Sequence, residues 1–147
     1  MSLLIAATIL AAAFQGDATS GARDSGSRVT SGDASASLSQ DAARAWLRLL
    51  DKGDWDASWR AAAGVFQSQI TAAQWASTVQ AVRGPLGAAS SRVFQNVTRT
   101  SALPGVPAGD YEMIQFRTDF ASKAGAIETI TLARDGDGWK VAGYFIK

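Results

Sequence analysis

The stretch from Ile127 to Ile146 constrains the fold more than any other part of the chain. Two alternating runs, Ile127-Glu128-Thr129-Ile130-Thr131-Leu132 and Trp139-Lys140-Val141-Ala142-Gly143-Tyr144-Phe145-Ile146, flank Asp135-Gly136-Asp137-Gly138. β-Branched and aromatic residues at a period of two suit strands, and Asp-Gly steps supply the positive φ of a tight turn, so the stretch predicts a β-hairpin. A hairpin cannot bury its apolar face alone, and the preceding elements must cover it. The Asp-Gly repeat is read as a plain turn, because it lacks the further oxygen ligands and closing glutamate of a calcium loop.

Two more strands are predicted upstream, at residues 91–100 and 111–120; with strands at 126–133 and 139–146 they make a four-stranded antiparallel meander. The loop joining the first two, Leu103-Pro104-Gly105-Val106-Pro107-Ala108-Gly109, is turn-rich and exposed by composition. Ahead of the strands the period becomes helical. Ser37-Leu38-Ser39-Gln40 matches a capping box, after which Ala42, Ala45, Trp46, Leu49 and Leu50 share one helical face and Arg44, Arg48 and Asp51 the other. Gly53 ends this helix and Asp54 caps a second, with Trp55, Trp59, Ala62 and Ala63 on one face. Thr71-Ala72-Ala73-Gln74 is a further capping box, opening a third helix with a Trp75, Val79 and Val82 stripe; Arg83-Gly84-Pro85 is expected to stop it. The fold class predicted is α+β, with three N-terminal helices packed on one face of a four-stranded antiparallel curved sheet.

Residues 3–14, LLIAATILAAAF, suit the apolar region of a signal peptide, and Ala11-Ala12-Ala13 offers a cleavage site; an uncleaved segment would instead anchor the chain to a membrane. Residues 15–36 are rich in Gly, Ser, Ala and Asp and cannot bury enough surface to offset ordering entropy. The expected division is therefore a signal peptide at 1–14, a flexible linker at 15–36 and one α+β domain at 37–147, with a periplasmic or secreted location.

Composition narrows the chemistry. Fourteen Lys and Arg against thirteen Asp and Glu leave a net charge of +1, without the basic excess that binding a phosphate backbone requires, so no nucleic-acid partner is expected. The chain has no cysteine and no histidine, which removes thiol catalysis, disulfides, imidazole bases and His/Cys metal sites. No metal or other cofactor is expected.

The ordered set Trp46-Leu47…Leu50-Asp51…Trp59, Trp75…Arg83-Gly84-Pro85-Leu86-Gly87…Arg92, Leu103-Pro104-Gly105-Val106-Pro107 and Phe120…Lys123…Glu128-Thr129…Gly138-Trp139…Gly143-Tyr144-Phe145 resembles the bacterial family catalogued as domain of unknown function 4019. The resemblance covers residues 41–147 and implies a small exported domain, often preceded by a signal peptide, without an assigned activity. The order of helices and sheet is also similar to the cone-shaped fold of nuclear transport factor two and its relatives. Those folds carry a short strand or hairpin between the second and third helices, for which Val65-Phe66-Gln67 is the one candidate here.

Strand parity selects the candidate site. Glu112, Ile114, Phe116, Thr118 and Phe120 point one way along the second strand, and Glu128, Ile130 and Leu132 along the third, so both glutamates ride on the apolar face. Arg92 shares parity with Phe94, Arg83 closes the third helix, and Tyr144 or its neighbour Phe145 joins them from the last strand. Two readings follow. Arg83 and Arg92 could bind a ligand carboxylate or peptide terminus in the space between helices and sheet; or Arg92 or Arg83 pairs with Glu128 and pins helix to sheet. The tryptophans Trp46, Trp55, Trp59 and Trp75 read as core, with Trp139 half exposed. The functional expectation is a non-enzymatic module binding a small ligand or an envelope protein partner. The alternatives are a small-substrate enzyme with Glu128 or Glu112 as general base and a structural envelope domain acting through its outer surface.

Overall fold

The computed structural model describes residues 31–147, so the predicted signal peptide and the linker as far as residue 30 lie outside the described residues. Four helices precede four strands: α1 (Ser31–Asp51), α2 (Trp55–Arg60), α3 (Gly64–Gln69), α4 (Ala72–Leu86), β1 (Ala89–Thr100), β2 (Tyr111–Phe120), β3 (Lys123–Asp135) and β4 (Gly138–Ile146). The strands form one antiparallel sheet in the order β1-β2-β3-β4. The fold is α+β, as its sequence pattern implies, but with one helix more than expected.

That additional helix is α3, which occupies the position proposed for a short strand at Val65-Phe66-Gln67. Its formation is tied to α2: the Gln67 side chain donates from Nε2 to the carbonyls of Trp59 (3.0 Å), Arg60 (3.1 Å) and Ala62 (3.2 Å). These carbonyls lie at and just beyond the C-terminus of α2, where that of Trp59 also accepts from the Ala62 amide (3.2 Å), so Gln67 caps the end of α2 from within the next helix. The adjoining Ala63 amide reaches the sheet instead, donating to the Val141 carbonyl at 2.8 Å.

Three further details differ from expectation. Helix α1 already runs from Ser31, through the predicted Ser37 cap. Its buried stripe is Ala43, Trp46, Leu47 and Leu50, displaced by about one position from the predicted one, and Ala45 is exposed. Ser39, also fully buried, lies on that face and donates its hydroxyl to Glu112 of the sheet. Helix α4 continues through Pro85 to Leu86. The residue before that proline is Gly84, which has no Cβ for the proline ring to strike, so the usual restriction is relaxed.

The close of α1 and the starts of α2 and α4 fall where predicted, whereas α2 ends at Arg60 and leaves Ala62 and Ala63, expected on it, in the connection to α3. At the close of α1 the Asp54 amide donates to the Leu49 carbonyl (2.9 Å) and the Gly53 amide to the Leu50 carbonyl (3.0 Å), a Schellman motif with Gly53 at φ 73°. Asp54 then accepts from the Ala57 amide and starts α2. Thr71 and Gln74 complete the capping box of α4.

Helices and sheet meet on a layer of aromatic rings. Trp46 lies 5.9 Å from Trp75 and 5.5 Å from Tyr144 between ring centroids, and Phe66 packs edge-on to Trp75 at 5.0 Å. Trp55 and Trp59 pack around this core partly buried, as does Trp139. Ser58, fully buried on α2, ties the layer together: its carbonyl accepts from Trp46 Nε1 (2.8 Å) and its hydroxyl from Trp75 Nε1 (2.9 Å).

Candidate functional site

Each strand and two helices send one side chain to a common point. Glu128 of β3 is fully buried at the centre. Its Oε1 accepts from the Thr118 hydroxyl on β2 (2.5 Å) and from Arg92 Nε on β1 (2.8 Å). Its Oε2 accepts from the Tyr144 hydroxyl on β4 (2.5 Å) and, more distantly, from Arg83 Nη1 on α4 (3.4 Å). A carboxylate has about four lone-pair directions, and this one meets four donors.

Asp51, in the last turn of α1, closes the network on its solvent side. Arg83 Nη2 donates to its Oδ1 (2.5 Å), while Arg92 donates through Nη1 to Oδ2 (2.8 Å) and Nη2 to Oδ1 (3.0 Å). The side chains of Arg83 and Arg92 are 4% and 11% exposed and that of Asp51 is 28% exposed, so the cluster opens outward at Asp51. Arg83 also stacks on the Phe120 ring, with its guanidinium carbon 4.8 Å from the centroid.

The electrostatics follow from this pairing. Burial opposes ionisation of both arginines, yet their anionic and hydrogen-bonded surroundings outweigh it and hold both above the ordinary guanidinium value. Burial also pushes the Asp51 carboxyl up, but the hydrogen bonds and charges of Arg92 and Arg83 prevail and hold it below the usual carboxylate range. Tyr144 is pushed well above the ordinary phenol value, first by burial and then by the negative charge of Glu128.

Of the residues predicted to meet, Arg83, Arg92, Glu128 and Tyr144 do so. Glu112 does not. It pairs with Leu132 across β2–β3, whereas Glu128 pairs with Phe116, four residues further along β2, or about 13 Å at ~3.3 Å per residue. Glu112 is buried in a cluster of its own, where it accepts from Arg99 Nε (3.0 Å) and from the Ser39 hydroxyl of α1. The two glutamates share a face but sit at different ends of it, which parity alone does not reveal.

Sequence reasoning missed Asp51, Arg99 and Ser39. Asp51 was assigned to the solvent side of its helix, although a carboxylate in the last turn of a helix opposes the helix dipole, and that misfit is a signal that a cation holds it there. Arg99 has the parity opposite to Arg92, but a bulge between Phe94 and Asn96 reverses the alternation and brings Arg99 opposite Glu112. A second bulge, at Ala142, lets both Val141 and Tyr144 face the core and sends Phe145 to the opposite face of the sheet, opposite Thr129.

The space between helices and sheet, proposed as a binding cavity, holds the rings of Trp46, Trp75, Phe66 and Tyr144 at this level. Among the described residues no group of three or more Asp, Glu, His or Cys is arranged to hold a metal ion.

No curated protein and no solved structure matches this chain, so the likeness to the cone-shaped fold of nuclear transport factor two rests on element order alone. A family model matches residues 42–144, from within α1 to Tyr144 itself, and the match takes in all six residues of the Glu128 network. The chain belongs to the family described as protein of unknown function DUF4019.

Proposed function

We propose that this domain is an exported, non-enzymatic binding module, and that it binds at the rim where Asp51 reaches solvent above Arg92 and the buried Arg83. The observation that carries this reading is the state of Glu128: it is fully buried and meets four donors. A general base needs a free lone pair facing its substrate. Glu112 is equally enclosed, 2% exposed and bonded to Arg99 and Ser39. Neither glutamate is placed to abstract a proton, and the enzymatic alternative loses its base. Arg83 and Arg92, in contrast, converge their N–H groups on one carboxylate at the protein surface, the forked arrangement suited to recognising anionic groups.

The third reading, a structural envelope domain acting through the outer sheet face, calls for a broad apolar surface there. That face carries a polar ladder instead, Asn96 to Gln115 (3.0 Å) and Gln115 to Thr129 (3.3 Å). Among the described residues the exposed large hydrophobics are Leu38 and Val93, which lie on different elements.

Thermal-shift screening of the purified protein against small carboxylates and peptides, with capture from an envelope extract, tests the reading. A saturable stabilisation or a captured partner that Arg92→Ala abolishes is the expected result. A flat response in both assays overturns it.

A further inference from the structure

The rim cluster has the geometry of a ligand complex in which the chain supplies its own ligand. Arg92 is held from within by the bond from Nε to Glu128 (2.8 Å), which leaves Nη1 and Nη2 directed at Asp51. Arg83 is held by Nη1 on Tyr144 (3.3 Å) and Glu128 (3.4 Å) and by its stacking on Phe120, which leaves Nη2 directed at the same carboxylate. Without Asp51, Arg92 would keep its bond to Glu128, and Arg83 its longer contacts to Tyr144 and Glu128 and its stacking on Phe120. If the Asp51 carboxylate turned away, a preorganised three-donor seat with one uncompensated positive charge would remain, since Glu128 neutralises one guanidinium of the two.

Asp51 is able to turn away. Its side chain is the most exposed of the cluster at 28% and rotates about two torsions. Its main chain is fixed independently by the Schellman bonds of Gly53 and Asp54, so departure needs a rotamer change and no helix movement. The helix C-terminus also disfavours a carboxylate, which weakens the internal contact relative to the same contact with a ligand free of that dipole.

We propose that Arg83 and Arg92 form a carboxylate-binding seat that Asp51 fills as an internal competitor until a ligand bearing a free carboxylate displaces it. This rests on the reading of the domain as a binding module and names its ligand class. The carboxylate belongs to a small organic acid or to a peptide C-terminus, sources that share the same chemistry at the seat.

The test uses the full chain with Asp51→Ser and Asp51→Asn. Thermal unfolding is followed with sodium formate or acetate against sodium chloride at equal ionic strength. Both variants should melt below the wild type and recover with formate or acetate in a saturable manner, while chloride gives no such recovery and the wild type, whose seat Asp51 already fills, needs at least tenfold more carboxylate for its own stabilisation. Arg92→Lys on the Asp51→Ser background, which removes the fork but keeps the charge, should abolish recovery. If a variant is unfolded at room temperature, formate-induced refolding by circular dichroism reads the same quantity.

A tripeptide with a free C-terminus, compared with its amide, separates the sources. The free acid should bind Asp51→Ser at least tenfold more tightly than it binds the wild type, and the amide should bind neither. Formate rescue without peptide binding assigns the seat to small acids. Equal responses to chloride and formate, or no gain on removing Asp51, overturn the proposal, and partner capture by the wild type alongside that outcome would leave the binding reading intact.

Discussion

Glu128 is the residue on which the interior charge balance turns. Replacing it by Gln leaves Arg83 and Arg92, both nearly buried, with Asp51 as their remaining counter-ion. Breaking a buried ion pair by removing one partner costs about 3–5 kcal/mol, because the other charge stays desolvated. Glu128→Gln should lower unfolding free energy in urea by that amount, and a loss below about 1 kcal/mol would contradict the assigned pairing. The same network sets the pH limits of stability. The folded-state pKa of Asp51 lies below its ordinary 3.8, so its contribution is present above that value and is lost as pH falls through the lower folded one. Tyr144 has the opposite sign. Its folded value lies well above 10.0, so its contribution is complete below pH 10.0 and fades as pH rises towards the folded value. Stability should therefore be level between these limits as far as the two groups decide it. Tyr144→Phe should flatten the alkaline fall while leaving the acid limb in place, as read by denaturant unfolding across pH.

At the scale of elements, local signals account for the helix ends and long-range contacts for their number. The capping box of α4 and the Schellman close of α1 were legible in Thr71-Ala72-Ala73-Gln74 and in Gly53, because each is complete within a few residues. Helix α3 was not legible, since its stability comes from Gln67 capping a different helix and from Ala63 bonding to β4. The end of α4 was misread for a related reason: Pro85 is tolerated after a glycine, and the stop falls at Gly87. Gly87 sits at φ 77°, where a Cβ would also lie 2.9 Å from Ala121 Cβ in the β2–β3 turn. Gly87→Ala should cost about 1–3 kcal/mol through that backbone conformation, with further loss from the contact. Ser58→Ala makes a second test, since it leaves the buried Trp75 indole N–H without its 2.9 Å acceptor. A loss of about 1–3 kcal/mol is expected, together with a change in tryptophan fluorescence.

For the whole molecule, the helices cover one face of the meander while each strand contributes one side chain to the Glu128 network, so helix–sheet packing and the ion cluster form together. Export belongs to this scale as well. Fractionation of cells expressing the full chain should place it outside the cytoplasm, and the mature protein should begin at Phe14 or Gln15 by mass. Retention of full-length protein in the cytoplasm would overturn the reading of residues 3–14. The α+β class, the order of the sheet, the hairpin at Asp135–Gly138 and the inward glutamates were all determined by sequence alone, because period, turn chemistry and strand parity are properties of neighbouring residues. Which glutamate meets which arginine was decided only by the tertiary structure. Bulges in β1 and β4 reverse parity beyond the point where they occur, and whether an extra residue is accommodated depends on the partner strand. Asp51 joined the site for the same kind of reason: a helix end carries a carboxylate towards whatever cation the fold brings within reach, and here the fold brings two.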